Sequence, residues 1–335
     1  MNNELFTQTK KHFSRLGLAY FFGSLIIIAG QTAVTGVCAV IDPSMAISNY
    51  NLYFVILMLS MYLIFMPITA FLISKMQKGD AIPKRSMTFG QWLIAFLIAY
   101  AATYAANIVG TIITQLIGTI KGSPVTNALG AVLTDLNPFV AFFITVICAP
   151  IAEELLFRKL LIERAIRYGE GISVVISGLL FGLFHGNLNQ FAYAFLLGCL
   201  FGFIFVKTGK IQYTIAMHML INFLGSIVSM LILRASGLIE FMEAYMDPEA
   251  DITALTMQHL SGIGIFMIYA LVLIGFTITG IILFAVNVRR FTLIPTELSV
   301  PKGWRFKTYI LNVGILLFSA LWIAQIGRAS CRERV

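Results

Sequence analysis

Long apolar stretches separated by short polar stretches dominate the 335-residue chain. A helix needs about 20 apolar residues to cross the hydrocarbon of a bilayer. Most of the stretches reach that length, and only the fifth and sixth are short. The pattern predicts an all-α fold, a polytopic transmembrane helical bundle of about eight to nine spans. The predicted spans are residues 16–41, 52–74, 92–117, 138–161, 172–185, 191–206, 211–233, 260–288 and 309–325.

The composition excludes a soluble globular protein, because 59% of the residues are hydrophobic and only 11% are charged. The net charge of +8 is typical of nucleic-acid-binding proteins as well, but here the basic residues lie at the ends of apolar stretches. At those positions they set membrane topology instead. We therefore expect membrane lipid as the surrounding partner and no nucleic acid.

Lysine and arginine are concentrated in every second loop between the predicted spans. Cytoplasmic loops of membrane proteins carry this excess, so the N-terminus is predicted to be cytoplasmic. The chain would then be an integral protein of a cell membrane. The residues are Lys10, Lys11 and Arg15; Lys75, Lys78, Lys84 and Arg85; Lys159, Arg164 and Arg167; Lys207 and Lys210; and Arg289, Arg290, Lys302, Arg305 and Lys307.

Four regions are predicted along the chain. Residues 1–134 form N-terminal spans, 135–230 a catalytic core, and 231–325 C-terminal spans. Residues 326–335 (IGRASCRERV) interrupt an apolar stretch with a burst of arginine and resemble a translated sequencing adapter. We expect this tail to be non-native, to pack against nothing and to lack a defined conformation.

Six polar side chains stand out inside the apolar stretches of the predicted core. They are Glu153, Glu154, Arg158, His185, His218 and Asn222. Ionisable groups at membrane depth are costly and usually mark a functional site. Counting 1.5 Å per helical residue from the turns on either side places the two histidines and the glutamates at similar heights. The spacing therefore predicts one polar cavity, built by three helices and open toward the cytoplasm.

The two adjacent glutamates are predicted to have different roles. Glu154 and Arg158 are four residues apart, so they share a helix face and can form an ion pair. Glu153 points about 100° away around the helix and remains free to act as a general base. An ordinary surface ion pair at the membrane edge is the alternative interpretation of Glu154 and Arg158.

Glycines recur at every fourth position in the fifth and sixth stretches. Small residues at this spacing allow the backbones of two membrane helices to approach closely. The pattern predicts that the helix carrying His185 is buried inside the bundle. The glycines are Gly178, Gly182 and Gly186 in one stretch and Gly198 and Gly202 in the next.

Three short motifs resemble those of the CPBP intramembrane proteases, which include the CAAX prenyl endopeptidases and many bacterial Abi-type proteins. The motifs are Glu153-Glu154-x-x-x-Arg158, Phe181-x-x-x-His185 and His218-x-x-x-Asn222. Their order and their placement on the fourth, fifth and seventh stretches agree with the family. The resemblance covers roughly residues 135–230 and is closest to the bacterial branch.

The resemblance implies hydrolysis of a peptide bond in a membrane-associated peptide or protein. Glu153 would activate a water that His185 helps to hold, while His218 and Asn222 would stabilise the oxyanion. Glu154, Arg158 and Phe181 would support this site. Glu153, His185 and His218 could alternatively bind Zn²⁺, although we favour the mechanism without a metal.

Two other functions are compatible with the pattern. A non-catalytic membrane scaffold or bacteriocin-immunity protein could keep the same fold, but such a protein would not need all six polar residues. A transporter would also place ionisable groups in mid-membrane, yet neither an internal repeat nor paired broken helices occur in the sequence.

Overall fold

The computed structural model describes residues 3–122, 136–245 and 251–331. These residues form helices and no strand, which confirms the predicted all-α bundle. The helices are α1 Asn3–Ile41, α2 Tyr50–Ser74, α3 Phe89–Lys121, α4 Pro138–Tyr168, α5 Glu170–Phe184, α6 Leu188–Thr208, α7 Ile211–Ala235, α8 Leu238–Tyr245, α9 Ile252–Asn287, α10 Arg305–Tyr309 and α11 Val313–Cys331.

Seven of the described helices are long and apolar enough to cross a membrane, namely α1, α2, α3, α4, α6, α7 and α9. An eighth span is formed if the segments Lys302–Tyr309 and Val313–Ala329 are counted together. They meet at an angle of 66°, so the predicted continuous span 309–325 is wrong at its start. The shorter helix α5 has 15 residues and corresponds to the fifth predicted stretch.

Helix α4 begins where the sequence predicts and then departs from regular α geometry. Asn137 caps its first turn, because its Oδ1 accepts a hydrogen bond from the amide of Phe139 at 2.9 Å. The turns at Phe142–Cys148 and Glu154–Leu160 are π-helical and flank a short α-helical segment containing Pro150 and Glu153. Each π turn widens the helix and re-aims the side chains that follow, an arrangement frequent at functional sites.

Close packing of α5 against α6 fixes the centre of the bundle. A Cβ on Gly178 would lie 2.5 Å from Sγ of Cys199, and one on Gly198 would lie 2.7 Å from Cα of Gly178. The predicted glycine contact is therefore confirmed. Gly186 has a different role. It lies just after the end of α5 and has a φ of +65°. There it allows the chain to turn toward α6.

The remaining helices pack around this pair. α3 packs against both α6 and α9, and α1 packs against α11 and the second half of α2. The main hydrophobic core lies between α1, α4, α5 and α11, where Tyr20, Phe157, Phe184 and Phe318 are buried. The hydroxyl of Tyr20 donates to the carbonyl of Leu156 at 2.6 Å and so ties α1 to the middle of α4.

The C-terminal tail differs from its prediction within the described residues. Helix α11 continues to Cys331, and Ile326 packs against the main core one turn beyond Trp322. The expected lack of a defined conformation is therefore wrong for residues 326–331, which are helical, and the expected lack of packing is wrong for Ile326. Residues 332–335 and the predicted boundary between residues 134 and 135 lie outside the described residues. The boundary at residue 230 falls inside α7, and the division into regions stays a prediction.

Candidate active site

The buried ion pair predicted between Glu154 and Arg158 is present in α4. Nη2 of Arg158 lies 3.2 Å from Oε1 of Glu154, and both side chains are fully buried. In the described part of the chain, neither the guanidinium nitrogens nor Oε2 of Glu154 has a hydrogen-bond partner. The alternative interpretation as a surface pair at the membrane edge is therefore wrong.

Two aromatic rings stabilise the guanidinium group of Arg158. Its central carbon lies 4.1 Å from the ring centre of Phe181 and 5.7 Å from that of Phe201. A cation over an aromatic face gains about 2 kcal/mol or more when it is removed from water. This contact explains why Phe181 belongs to the site, and Phe201 is a supporting residue that the sequence did not indicate.

His218 joins α7 to both glutamates of α4. Its Nδ1 lies 3.0 Å from Oε1 of Glu154, and its Nε2 lies 3.7 Å from Oε2 of Glu153. A carboxylate only accepts hydrogen bonds, so Nδ1 carries the proton in this contact. The other ring nitrogen is thereby aimed at Glu153. The imidazole side chain is 4% exposed, and its ring contacts those of Phe181 and Phe201 with centre distances of 5.9 and 5.7 Å.

His185 lies at the end of α5, where its ring contacts Phe181 and Tyr193. Its ring centre is 4.7 Å from that of Phe181, and the ring centre of His218 is 5.9 Å from the same aromatic ring. The ring centres of His185 and His218 are therefore no further apart than the sum of the 4.7 and 5.9 Å distances. Nδ1 of His185 donates to the carbonyl of Phe181 at 2.9 Å. In the neutral ring, Nε2 is then left as a hydrogen-bond acceptor.

Asn222 contacts α4 two turns before Glu153. In the π-helical turn of α4, the backbone N–H of Ala149 donates to the carbonyl of Ile144, five residues earlier. By the same spacing, the carbonyl of Thr145 would accept a hydrogen bond from residue 150. That residue is Pro150, which has no N–H. Nδ2 of Asn222 donates to this carbonyl at 2.8 Å. One of the two amide hydrogens of Asn222 is therefore used, and the other can serve a substrate.

The loop after His185 contains further polar residues, to which the sequence analysis assigned no role. Asn187 caps α6 by accepting from the amide of Gln190 at 2.9 Å, and its Nδ2 donates to the carbonyl of His185 at 3.1 Å. Gln190 in turn donates to the hydroxyl of Tyr193 at 2.7 Å. Asn187 and Gln190 are three residues apart, which is the spacing of a capping box and is visible in the sequence. These residues hold the loop and so orient His185.

Accessibility distinguishes the two glutamates. The side chain of Glu153 is 12% exposed, whereas that of Glu154 is 0% exposed. Glu154 is also engaged through its Oε1, against which both Arg158 and His218 lie. Glu153 is accordingly the carboxylate that a water or a substrate can reach.

The candidate metal ligands do not form a ligand set in this arrangement. Across the described ranges, no three His, Cys, Asp or Glu side chains are grouped so that they could hold a metal ion. Glu153, His185 and His218 share the region without forming such a group. Binding of Zn²⁺ by these three residues stays a prediction.

The central segment matches a known protein family. Residues 135–224 match the family described as type II CAAX prenyl endopeptidase Rce1-like. A curated relative is the membrane-embedded CAAX protease MroQ of Staphylococcus aureus (strain USA300), 29% identical over 116 residues. That alignment covers 32% of this chain and 46% of the relative, so the chain matches about half of the relative's length. No solved structure matches.

These two similarities confirm the resemblance found in the motifs. The segment 135–224 is similar to the CAAX-type membrane proteases of the CPBP family. The six polar residues and Phe181 all lie inside this segment. The apolar helices and the similarity to a membrane-embedded relative both support an integral membrane protein.

Proposed function

We propose that the chain is an intramembrane endopeptidase that hydrolyses a peptide bond in a membrane-associated peptide or protein. The observation that carries the proposal is the asymmetry of the two glutamates. Glu154 is buried against Arg158 and His218, while Glu153 is partly exposed beside Nε2 of His218. A free carboxylate within an apolar bundle is the group expected of a general base.

The first step is addition of water to the scissile carbonyl. Glu153 takes one proton from the water, and Nε2 of His185 accepts a hydrogen bond from the other O–H. The resulting hydroxide oxygen bonds to the carbonyl carbon, whose π electrons move onto oxygen to form the oxyanion. Orientation of His185 by the carbonyl of Phe181 leaves Nε2 ready for this role.

Stabilisation of the oxyanion is assigned to α7. Asn222 has one amide hydrogen remaining, and Nε2 of His218 donates when the imidazole is doubly protonated. A well-placed donor of this kind contributes about 3–4 kcal/mol. In the second step the C–N bond breaks, and the proton held by Glu153 moves to the leaving amine. Glu153 returns to its starting state and no other reactant is consumed.

The orientation in the membrane forms part of the proposal. The loops rich in lysine and arginine all fall on one side of the membrane when successive spans alternate in direction. This distribution supports a cytoplasmic N-terminus. The loop between α6 and α7, with Lys207 and Lys210, is then cytoplasmic. His218 follows that loop by about nine residues, or roughly 13 Å along a helix. The site would thus lie in the cytoplasmic half of a bacterial cell membrane.

Activity of the purified protein on a library of membrane-anchored peptides tests this function. We expect cleavage in detergent and in liposomes, and we expect it to persist with a metal chelator. This expectation rests on the described residues, among which no three metal-ligating side chains are grouped. Absence of cleavage across the library, combined with stable binding of one peptide, would favour the scaffold or immunity function instead. Loss of cleavage with chelator and its return with Zn²⁺ would contradict the metal-free mechanism.

A further inference from the structure

A cavity lies away from the glutamates, between the ends of α3, α6 and α9. Its volume is about 340 Å³, which falls in the range of small-molecule sites. The three helix ends belong to loops that carry lysine and arginine, so the cavity opens on the side assigned to the cytoplasm. None of the residues assigned to the candidate active site lines it.

The inner wall of the cavity is apolar. It is built from two facing helices, and Ile98 lies about 15 Å along α3 from the capping residue Thr88. That depth reaches from the membrane surface into the hydrocarbon. The wall residues are Ile94, Ala95, Ile98, Leu200, Phe203 and Ile204.

The mouth of the cavity is cationic and lies at the membrane interface. Arg85 and Arg290 both line it, and in the described ranges neither guanidinium has an ion-pair or hydrogen-bond partner. Lys207 also lines it but is already paired with Glu170 at 2.5 Å. No Asp or Glu is among the lining residues. The two arginines are therefore uncompensated positive charges above an apolar slot.

Aromatic anchors fix the depth of this mouth. The indole N–H of Trp92 donates to the carbonyl of Tyr213 at 3.3 Å, and the hydroxyl of Tyr213 accepts from the amide of Met87 at 3.0 Å. Trp and Tyr concentrate where hydrocarbon meets the headgroups. The arginines thus lie at headgroup height, with the apolar wall below them at acyl-chain height.

We propose that this cavity binds an anionic phospholipid of the cytoplasmic leaflet. The phosphate lies between Arg85 and Arg290, and one acyl chain lies along the wall formed by α3 and α6. A phospholipid carries its charge above its acyl chains, as the cavity carries its arginines above its apolar wall. A free anion would leave the apolar wall without a partner. Arginine recognises phosphate through paired N–H donors, which fits two guanidinium groups at one mouth.

Native mass spectrometry of the purified, delipidated full chain tests this site. Phosphatidylglycerol, phosphatidylcholine and inorganic phosphate are added in separate series. We expect one phosphatidylglycerol to be retained, with an affinity about tenfold or more above that for phosphatidylcholine. Millimolar inorganic phosphate should not displace it, because the acyl chain contributes to binding.

Two pairs of variants distinguish lipid binding in this cavity from lipid binding by general surface charge. The double variant Arg85→Gln/Arg290→Gln should lose phosphatidylglycerol affinity by about tenfold. Lys84→Gln/Arg289→Gln removes the same charge from neighbouring residues that do not line the cavity, and it should bind like the unmodified chain. Ala95→Trp fills the slot and should abolish retention, whereas Leu93→Trp on the exposed face of α3 should not. Thermal unfolding confirms that each variant is folded.

Equal retention of both lipids would overturn the proposal, as would equal losses in the two charge variants. Displacement by inorganic phosphate would assign the cavity to a free anion, which also contradicts a lipid site. Retention unchanged in Ala95→Trp would show that the acyl chain lies elsewhere and would overturn it too.

Discussion

Nδ1 of His218 lies 3.0 Å from Oε1 of Glu154, although the two residues are 64 positions apart in the chain. This contact joins α7 to α4 inside the bundle and fixes the rotation of the imidazole ring. Because Nδ1 is engaged, Nε2 is directed toward Glu153 at 3.7 Å. Glu154 thus acts by positioning a histidine beside the neighbouring carboxylate.

Replacing Arg158 should destabilise the fold, because it would leave Glu154 buried without its cation. We expect Arg158→Met to lower the free energy of unfolding by about 3–5 kcal/mol. The double variant Arg158→Met/Glu154→Gln removes both charges and should recover part of that loss. Arg158→Lys should not substitute fully, since a lysine cannot stack its flat face on Phe181. Denaturant unfolding in detergent measures these differences.

An equal loss of stability in Arg158→Met and in the double variant would contradict this account of the ion pair. A change below about 1 kcal/mol in Arg158→Met would do so as well. Lys159→Met is the matched control on the same helix. Lys159 is about half exposed and lies 3.7 Å from Glu163, so its removal should cost less than about 1 kcal/mol.

The contact between α5 and α6 should tolerate no side chain at Gly178. A Cβ there would meet Sγ of Cys199 at 2.5 Å and the carbonyl of Phe195 at 2.8 Å. We expect Gly178→Ala to destabilise the protein by about 1–3 kcal/mol through overpacking. Gly171 lies on the same helix, and a Cβ added to it would have no neighbouring atom of the described residues within 4 Å. Gly171→Ala should therefore be neutral or slightly stabilising. Thermal unfolding of both variants compares them, and equal behaviour would contradict the close packing.

Asn222→Ala should affect both turnover and stability. Loss of an oxyanion donor lowers turnover by about 10²–10³-fold, and the carbonyl of Thr145 loses its partner at a cost of about 1–3 kcal/mol. Single-turnover cleavage and thermal unfolding separate these two effects. Asn107→Ala on an exposed face of α3 is the control. A destabilised variant that still turns over normally would restrict Asn222 to the structural contact.

The membrane bundle and the pairing of Glu154 with Arg158 were predictable from the sequence. Apolar length indicates spans without reference to tertiary contacts, and a spacing of four residues fixes a shared helix face. The depth count also placed the two histidines near each other, which the shared contact with Phe181 confirms. A polar cavity lined by these side chains and open to the cytoplasm stays a prediction.

Other features depend on tertiary contacts that no local pattern specifies. The π turns on both sides of Glu153 depart from regular α geometry, so they change the directions of the two glutamate side chains. In the resulting arrangement the imidazole of His218 lies beside both glutamates. Pro150 was the visible signal of an unpaired carbonyl, but its partner Asn222 lies on another helix. The 66° bend before α11 likewise occurs inside an apolar stretch, where hydropathy alone predicts continuity.

Single-turnover cleavage of a membrane-anchored reporter peptide by three glutamine variants tests the central claim most directly. Glu153→Gln keeps the shape of the side chain and removes the base, so the rate should fall by about 10²–10⁴-fold while peptide binding survives. Glu154→Gln should have a smaller effect, through the orientation of His218. Glu163→Gln, which loses the ion-pair contacts to Lys78 and Lys159 away from the histidines, should cleave normally. Normal cleavage by Glu153→Gln together with an inactive Glu154→Gln would contradict the assignment of Glu153 as the base.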